Sequence, residues 1–240
     1  MITMLAVVLA GGKGLRMLPL TRDRPKAMVE LRGKPLLEWV LLELKKAGIR
    51  KVIIVVGYKK EKIIEHFGKR FKGLSIEYAV QKKPLGTGHA LAQAKKAVEK
   101  SSAKQFIVCY ADVIANHKDV AKLINARWQY AMGLRYEAEP ERFGVVCVKN
   151  RRVVSLTEKP KKVKKPALVN TGIYKFHKEI FETLERLRPS KRNELELTDA
   201  LKKLIKKGKL GYVIMENVLD IGTLADLEMQ SDIELKESKL

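Results

Sequence analysis

The order of hydrophobic runs in this chain predicts an α/β fold built on a doubly wound, mostly parallel (mixed) sheet. Three observations carry that expectation. Short apolar runs at 5–10, 51–56 and 105–110 have the length and β-branched content of strands buried on both faces. Between them lie stretches with apolar residues at helical spacing, and strands joined by helices in this order wind a right-handed parallel sheet. The first run then enters a glycine-rich turn, Gly11-Gly12-Lys13-Gly14, at the sheet edge where such folds bind ligands.

The elements follow in order. Strand 5–10 leads into the turn. Pro35 opens a helix with Leu37, Val40, Leu41 and Leu44 on one face, and Gly48 closes it. Strand 51–56 ends at Gly57, and a helix over 60–67 and a strand over 75–80 come next. A helix over 87–100 leads to the fourth strand, 105–110. The second half changes character. A helix is expected over 118–130, then strands around Arg135 and over 143–149, 153–157 and 169–176. Helices over 178–187 and 197–207, a strand over 210–215 and a helix from Thr223 complete the pattern. No internal repeat of about 20–50 residues is visible, and a hexapeptide β-helix tail is not expected. No Gly/Ser linker divides the chain, so one domain over 1–240 is expected, with lobes of roughly 1–115 and 116–240.

Apolar residues make up 46% of the 240, enough for a sizeable core and too many for long-range disorder. The two cysteines, Cys109 and Cys147, exclude a disulfide framework or a four-cysteine zinc site. Both sit in apolar runs and are expected to be reduced core residues. The N-terminus shows no basic leader or small-residue cleavage site, and no apolar stretch reaches about 18 residues, so a soluble cytoplasmic protein without membrane contact is expected. Scarce Asn and Gln beside abundant Lys and Glu suit a heat-adapted source.

Lys plus Arg number 49 against 27 Asp plus Glu, a net charge of +22. That excess suits an anionic partner, either nucleic acid or a phosphate-bearing small molecule. The basic residues are densest over 159–166 and 202–209, with no aromatic residues interleaved, which argues against single-strand binding. The first run, set around Pro160 and Pro166, reads as a solvated loop rather than a nuclear-import signal.

The glycines of the first turn let the backbone approach a phosphate and aim successive amides at it, and Arg16 and Lys26 add positive charge. A dinucleotide fingerprint is excluded because Met17 stands where a third glycine is needed, and a Walker loop because Gly33-Lys34 runs into Pro35. Asp112, just past the fourth strand, suits either a magnesium ligand near phosphates or a helix cap. Thr87 suits a helix N-cap. The four histidines, His66, His89, His117 and His177, lack metal-ligand spacing. His89 reads as a helix residue facing its own backbone rather than a catalytic base.

The string Leu9-Ala10-Gly11-Gly12-Lys13-Gly14-Leu15-Arg16-Met17-Leu18-Pro19-Leu20-Thr21, with Arg24-Pro25-Lys26 beyond it, resembles the nucleotide signature of the sugar-1-phosphate nucleotidylyltransferases. The resemblance is to the glucose-1-phosphate uridylyl/thymidylyl and N-acetylglucosamine-1-phosphate uridylyl types, without their left-handed β-helix tail. Leu15 departs from the small hydroxyl residue of that signature, and Ala111 from its glycine. The likeness runs on in order. Residues 81–90, Gln81 to Ala90, are similar to the family's base-reading loop, and Leu219-Asp220-Ile221-Gly222-Thr223 to its Asp-[IV]-Gly-Thr segment. Phe143-Gly144, Glu158-Lys159-Pro160 and Asn170-Thr171-Gly172 resemble its sugar-side motifs, and Glu196-Leu197-Thr198-Asp199 a helix start, where Thr198 or Asp199 is expected to have a structural role.

The resemblance implies a Rossmann-like nucleotide-diphospho-sugar transferase fold and a role for each match. Leu9, Ala10, Gly11, Gly12, Gly14, Arg16, Lys26, Gln81, Gly86 and Thr87 would hold the nucleotide, with uracil or thymine favoured by Gln81. Gly144, Glu158, Lys159, Asn170 and Thr171 would hold the sugar phosphate. Asp112 and Asp220 would ligate Mg2+, and Arg16, Lys26 and Asp112 would serve catalysis. The implied reaction joins a nucleoside triphosphate and a sugar 1-phosphate into a nucleotide sugar and pyrophosphate. It needs no acid–base pair, because a phosphate monoester is mostly dianionic at neutral pH. Two alternatives remain open on the residues: cytidylyl or guanylyl transfer to another sugar or alcohol phosphate, and a non-catalytic regulatory subunit on the same fold, which Leu15 and Ala111 keep in view. A homo-oligomer is compatible with the sequence, and no specific nucleic acid is expected.

Overall fold

A computed structural model describes residues 4–232; the first three residues of the stretch read above for a leader lie outside the described residues. The first half alternates strand and helix as expected. It comprises β1 (Leu5–Ala10), α1 (Leu36–Lys46), β2 (Lys51–Val56), α2 (Lys60–Phe67), β3 (Leu74–Val80), α3 (Thr87–Gln93), α4 (Lys95–Glu99) and β4 (Gln105–Tyr110). The second half holds β5 (Val113–Ala115), α5 (His117–Ile124), β6 (Tyr130–Glu137), β7 (Gly144–Lys149), β8 (Arg152–Glu158) and β9 (Ala167–His177). It continues with α6 (Ile180–Glu185), α7 (Leu197–Lys206), β10 (Leu210–Ile214), β11 (Val218–Asp220) and α8 (Leu224–Asp232).

One mixed sheet runs in the order β8-β7-β9-β4-β1-β2-β3, ending on the short strand Arg70–Phe71. Its centre is parallel: β1 pairs in that sense with both β2 and β4, and β2 with β3. Beyond β4 the sense reverses, since β9 runs antiparallel to β4, β6 and β7. The long strand β9 thus ties the two halves into one sheet. Alternate residues of β1 enter different cores. Ala6, Val8 and Ala10 join the apolar faces of α1, α2 and α5, whereas Leu5, Val7 and Leu9 join α3, α4, α6 and α7. Burial on both faces is why the central strands read as unbroken apolar runs.

Three expectations are corrected. The helix expected over 118–130 stops at Ile124, where the buried Lys175 Nζ donates to the carbonyls of Ile124 and Ala126 at 2.8 and 2.7 Å. Beyond it Trp128 packs against Gly211, and Tyr130 starts β6. The helix expected over 87–100 breaks at Ala94, whose N–H bonds the nearer carbonyl of Leu91. Cys109 is buried, but Cys147 is exposed. Val146 and Val148 both turn into the core, so the alternation of β7 places the thiol between them on the outer face.

Candidate active site

The parallel centre of the sheet delivers three chain segments to one edge: the turn after β1, the loop after β3 and the residues after β4. Together they line a cleft of about 710 Å³. Every residue assigned above to the nucleotide lines it, as does Asp112. The glycine turn is fixed from within. Gly14 has a φ of +67°, and a Cβ there would stand 2.7 Å from Lys26 Cβ and 3.1 Å from Thr21 Cγ2. Thr21 Oγ1 donates to the Gly14 carbonyl at 2.9 Å. The glycine therefore seats Thr21 and Lys26 against the turn, which accounts for the spacing of the string.

The two acidic residues meet through backbone pairing. Strand β11 runs antiparallel to β5 with Asp220 opposite Val113, and the Ile221 N–H donates to the Asp112 carbonyl at 3.0 Å. Asp119 clamps the approach to β11: its buried carboxylate accepts from the N–H groups of Glu216 and Asn217, each at 2.9 Å. Lys26 Nζ is ion-paired with Asp112. Burial, and next the Asp112 charge, push the Asp220 carboxyl up to about 6, against the pull of Lys26 and Arg135. Gly222 also lines the cleft, and a Cβ on it would lie 3.8 Å from both Arg16 Nη1 and Asp220 Oδ1. Those are ordinary contact distances; the tight neighbour of such a Cβ would be Asp226 Oδ2, at 3.2 Å.

Two mutually repelling carboxylates, one already neutralised by a lysine, suit a hard divalent cation, and Mg2+ characteristically takes one or two carboxylates with phosphate oxygens completing its shell. Among the described residues no cluster of three or more His, Cys, Asp or Glu side chains is assembled for a metal. The donor set fits a cation that shares its shell with substrate, not a closed structural site.

The sugar-side motifs lie outside the lining of this cleft. Gly144 and Glu158 face each other across β7 and β8, and the Lys159 N–H donates to the Phe143 carbonyl at 2.9 Å. Crowding by surrounding protein, and next the Glu196 carboxylate, raise the Glu158 pKa against the pull of Lys202, Lys159 and Arg192. Asn170 is partly committed: its Oδ1 accepts from Gly172 N–H at 3.0 Å and its Nδ2 donates to Tyr174 OH at 2.9 Å. Thr171 is corrected. It is 4% exposed, and its hydroxyl donates to the Gly133 carbonyl at 2.9 Å, so its side chain is not offered to a ligand.

Other placements differ from expectation. Thr87 does not cap its own helix, whose N-cap is Gly86. Its hydroxyl accepts instead from the Leu197 N–H at 3.0 Å, at the start of α7. At the start of α7 Asp199 pairs with Lys202 at 3.2 Å, and the helix has no side-chain cap. His89 does not face its own backbone, because its ring Nδ1 meets Gln81. Arg192 and Glu194 line the cleft although no sequence motif singled them out. They arrive because Leu195 exchanges backbone bonds with Leu85 and Gly88 at 2.8 and 2.7 Å. That cross-link presses Gly86 so close that a Cβ would lie 2.6 Å from the Leu195 carbonyl oxygen.

The nucleotidyl transferase family model matches residues 5–237. The chain belongs to the nucleotidyl transferase family. It is 40% identical over 213 residues to the UTP–glucose-1-phosphate uridylyltransferase AglF of Haloferax volcanii, covering 86% of this chain and 85% of that one. It is 43% identical over 207 residues to the bifunctional protein GlmU of Methanococcus maripaludis, covering 85% of this chain and 48% of the relative. The chain therefore spans about half the length of its GlmU relatives. A provisionally assigned glucose-1-phosphate thymidylyltransferase from Bacillus anthracis, solved with sucrose, superposes with a TM-score of 0.84 at 30% identity over 96% of each chain. Family, relatives and fold agree with the sugar-1-phosphate nucleotidylyltransferase resemblance carried by the motifs. Among the described residues no helix is long and apolar enough to cross a membrane.

Proposed function

We propose that this chain couples UTP or dTTP with a sugar 1-phosphate of the glucose or N-acetylglucosamine type, giving a nucleotide sugar and pyrophosphate. The observation that carries the reading is the gathering of Lys26, Asp112 and Asp220 beside the glycine turn at one edge of the sheet. The AglF relative, named for UTP and glucose 1-phosphate, supports these substrates first. Residues 1–115 serve the nucleotide in this reading and 116–240 the sugar phosphate, with Asp220 reaching back from the second lobe.

The amides of Gly11, Gly12 and Gly14 receive the triphosphate, with Leu9 and Ala10 at the floor and Arg16 and Lys26 countering its charge. Gln81, Gly86 and Thr87 border the base. Gly144, Glu158 and Lys159 receive the sugar phosphate, and Asn170 keeps one Nδ2 proton for it. Asp112 and Asp220 hold a divalent cation, taken as Mg2+, which when bound supplies neutralisation of phosphate charge. The sugar-phosphate dianion attacks the α-phosphorus in line; the new P–O bond forms as the bond to the β-phosphate oxygen breaks and pyrophosphate leaves. No proton must be removed, so positioning and charge neutralisation make up the catalysis. The unpaired thiols of Cys109 and Cys147 suit a reducing cytoplasm, and the Lys- and Glu-rich composition a heat-adapted source.

The test is pyrophosphate release with Mg2+, crossing ATP, GTP, CTP, UTP and dTTP with glucose, N-acetylglucosamine, galactose and mannose 1-phosphates. Turnover is expected with UTP or dTTP and a glucose-type partner. Folded protein that releases pyrophosphate with no pair contradicts the proposal.

A further inference from the structure

The base side of the cleft holds Gln81 in one orientation. Its side chain is 7% exposed, with Nε2 donating to the Gly86 carbonyl at 3.1 Å and lying 3.0 Å from His89 Nδ1. Oε1 points at Gly11, 2.7 Å from where a Cβ there would stand. A carbonyl oxygen only accepts, so the amide atom facing Gly86 is the nitrogen. Its second proton faces His89 Nδ1, which accepts it in the tautomer that carries the ring proton on Nε2, the nitrogen 3.2 Å from the Gln93 amide. Burial lowers the His89 pKa and keeps that ring neutral near neutral pH. In that tautomer both protons of the Gln81 amide are engaged within the protein, and the amide offers its oxygen.

We infer that His89 is a positioning residue that locks the Gln81 amide oxygen-outward, and that this lock selects uracil or thymine over cytosine. Uracil and thymine carry a donor at ring N3, which an oxygen accepts, whereas cytosine carries an acceptor there. An amide turned by half a rotation would offer Nε2 and welcome cytosine instead. The inference rests on the nucleotide reading of the cleft. Gly86 supplies one half of the lock through its backbone, and His89 supplies the half that substitution can remove.

The test compares wild type, His89→Leu and His89→Asn. Equilibrium binding of UTP and CTP with Mg2+ is measured by calorimetry, alongside kcat and KM with glucose 1-phosphate. Leucine removes the acceptor, and asparagine restores one in its side-chain oxygen. In His89→Leu the UTP-over-CTP preference is expected to fall about 5- to 10-fold, the worth of one hydrogen bond, through Kd and KM rather than kcat. His89→Asn is expected to recover most of it, with thermal midpoints matching wild type. An unchanged preference in His89→Leu overturns the inference alone, as does an equal loss in both variants. A wild type that binds no nucleoside triphosphate overturns the cleft reading and this inference with it.

Discussion

Gly172→Ala adds one methyl group at a backbone angle that resists it and in a space already filled. The φ of Gly172 is +80°, a region that costs an L-residue about 1–2 kcal/mol. The new Cβ would stand 2.5 Å from Cδ2 and 2.8 Å from Cε2 of Tyr110. That ring cannot turn aside freely, because its hydroxyl is bonded to Tyr174 and Thr87. Overpacking of this kind adds about 1–3 kcal/mol, so a destabilisation of about 3 kcal/mol is expected. For a chain of this length that is a Tm loss of roughly 6–12 °C by scanning calorimetry. Gly208→Ala is the control: it shares a positive φ of +62° but meets only Arg152 Nη1, at 3.4 Å. Its cost is about 1 kcal/mol, the conformational part alone. Equal losses in the two variants would refute the steric reasoning and the placement of Tyr110.

The other predictions concern the cleft and its supports. Asp112→Asn is expected to lower pyrophosphate release by about 100-fold or more while leaving Tm within about 2 °C, and a variant keeping most activity would sink the metal assignment. Gly11→Ala drives a methyl into Gln81 Oε1 and is expected to raise nucleotide KM several-fold with little change in kcat. Asp119→Asn removes the charge that accepts two backbone N–H bonds, at about 2 kcal/mol in neutral buffer. Burial opposes ionisation of Asp119, but the bonds from Asn217, Lys122 and Glu216 outweigh it and depress its pKa. A depressed carboxylate stabilises above its unfolded pKa of about 3.9 and loses that stability as pH falls through the folded value. The gap between wild type and Asp119→Asn should therefore close below about pH 4 in denaturant titrations, and a gap constant with pH would contradict this role.

The parallel centre of the sheet was legible because strands buried on both faces leave unbroken apolar runs, as 5–10 and 51–56 do. Helix 60–67 matched its expected bounds because Ile63 and Phe67, at helical spacing, turn into the core and Gly68 ends it. The end of α5 was not legible, because the lysine that ties off its last carbonyls comes from β9, far along the chain. At the candidate site, the glycine turn, Gln81 and Asp112 each end or follow a parallel strand, and topology alone brings them to one edge. Arg192 and Glu194 left no signal, since only a long-range backbone cross-link delivers them. Thr87 suits an N-cap on local grounds and Thr171 a sugar-phosphate contact by resemblance, yet each hydroxyl finds its partner across the fold. Along the sequence His89 is a lone helix residue, and its contact with Gln81 exists only because the loop before α3 closes on it.

Isotopic labelling tests the central claim most directly, that a sugar phosphate displaces pyrophosphate from the α-phosphorus in this cleft. With UTP labelled at the α-phosphate and glucose 1-phosphate as partner, the label should appear in the nucleotide sugar and the released pyrophosphate should be unlabelled. Release should require both the sugar phosphate and Asp112. Label emerging as free nucleoside monophosphate, or release that proceeds without the sugar phosphate, would show a hydrolase and contradict the account.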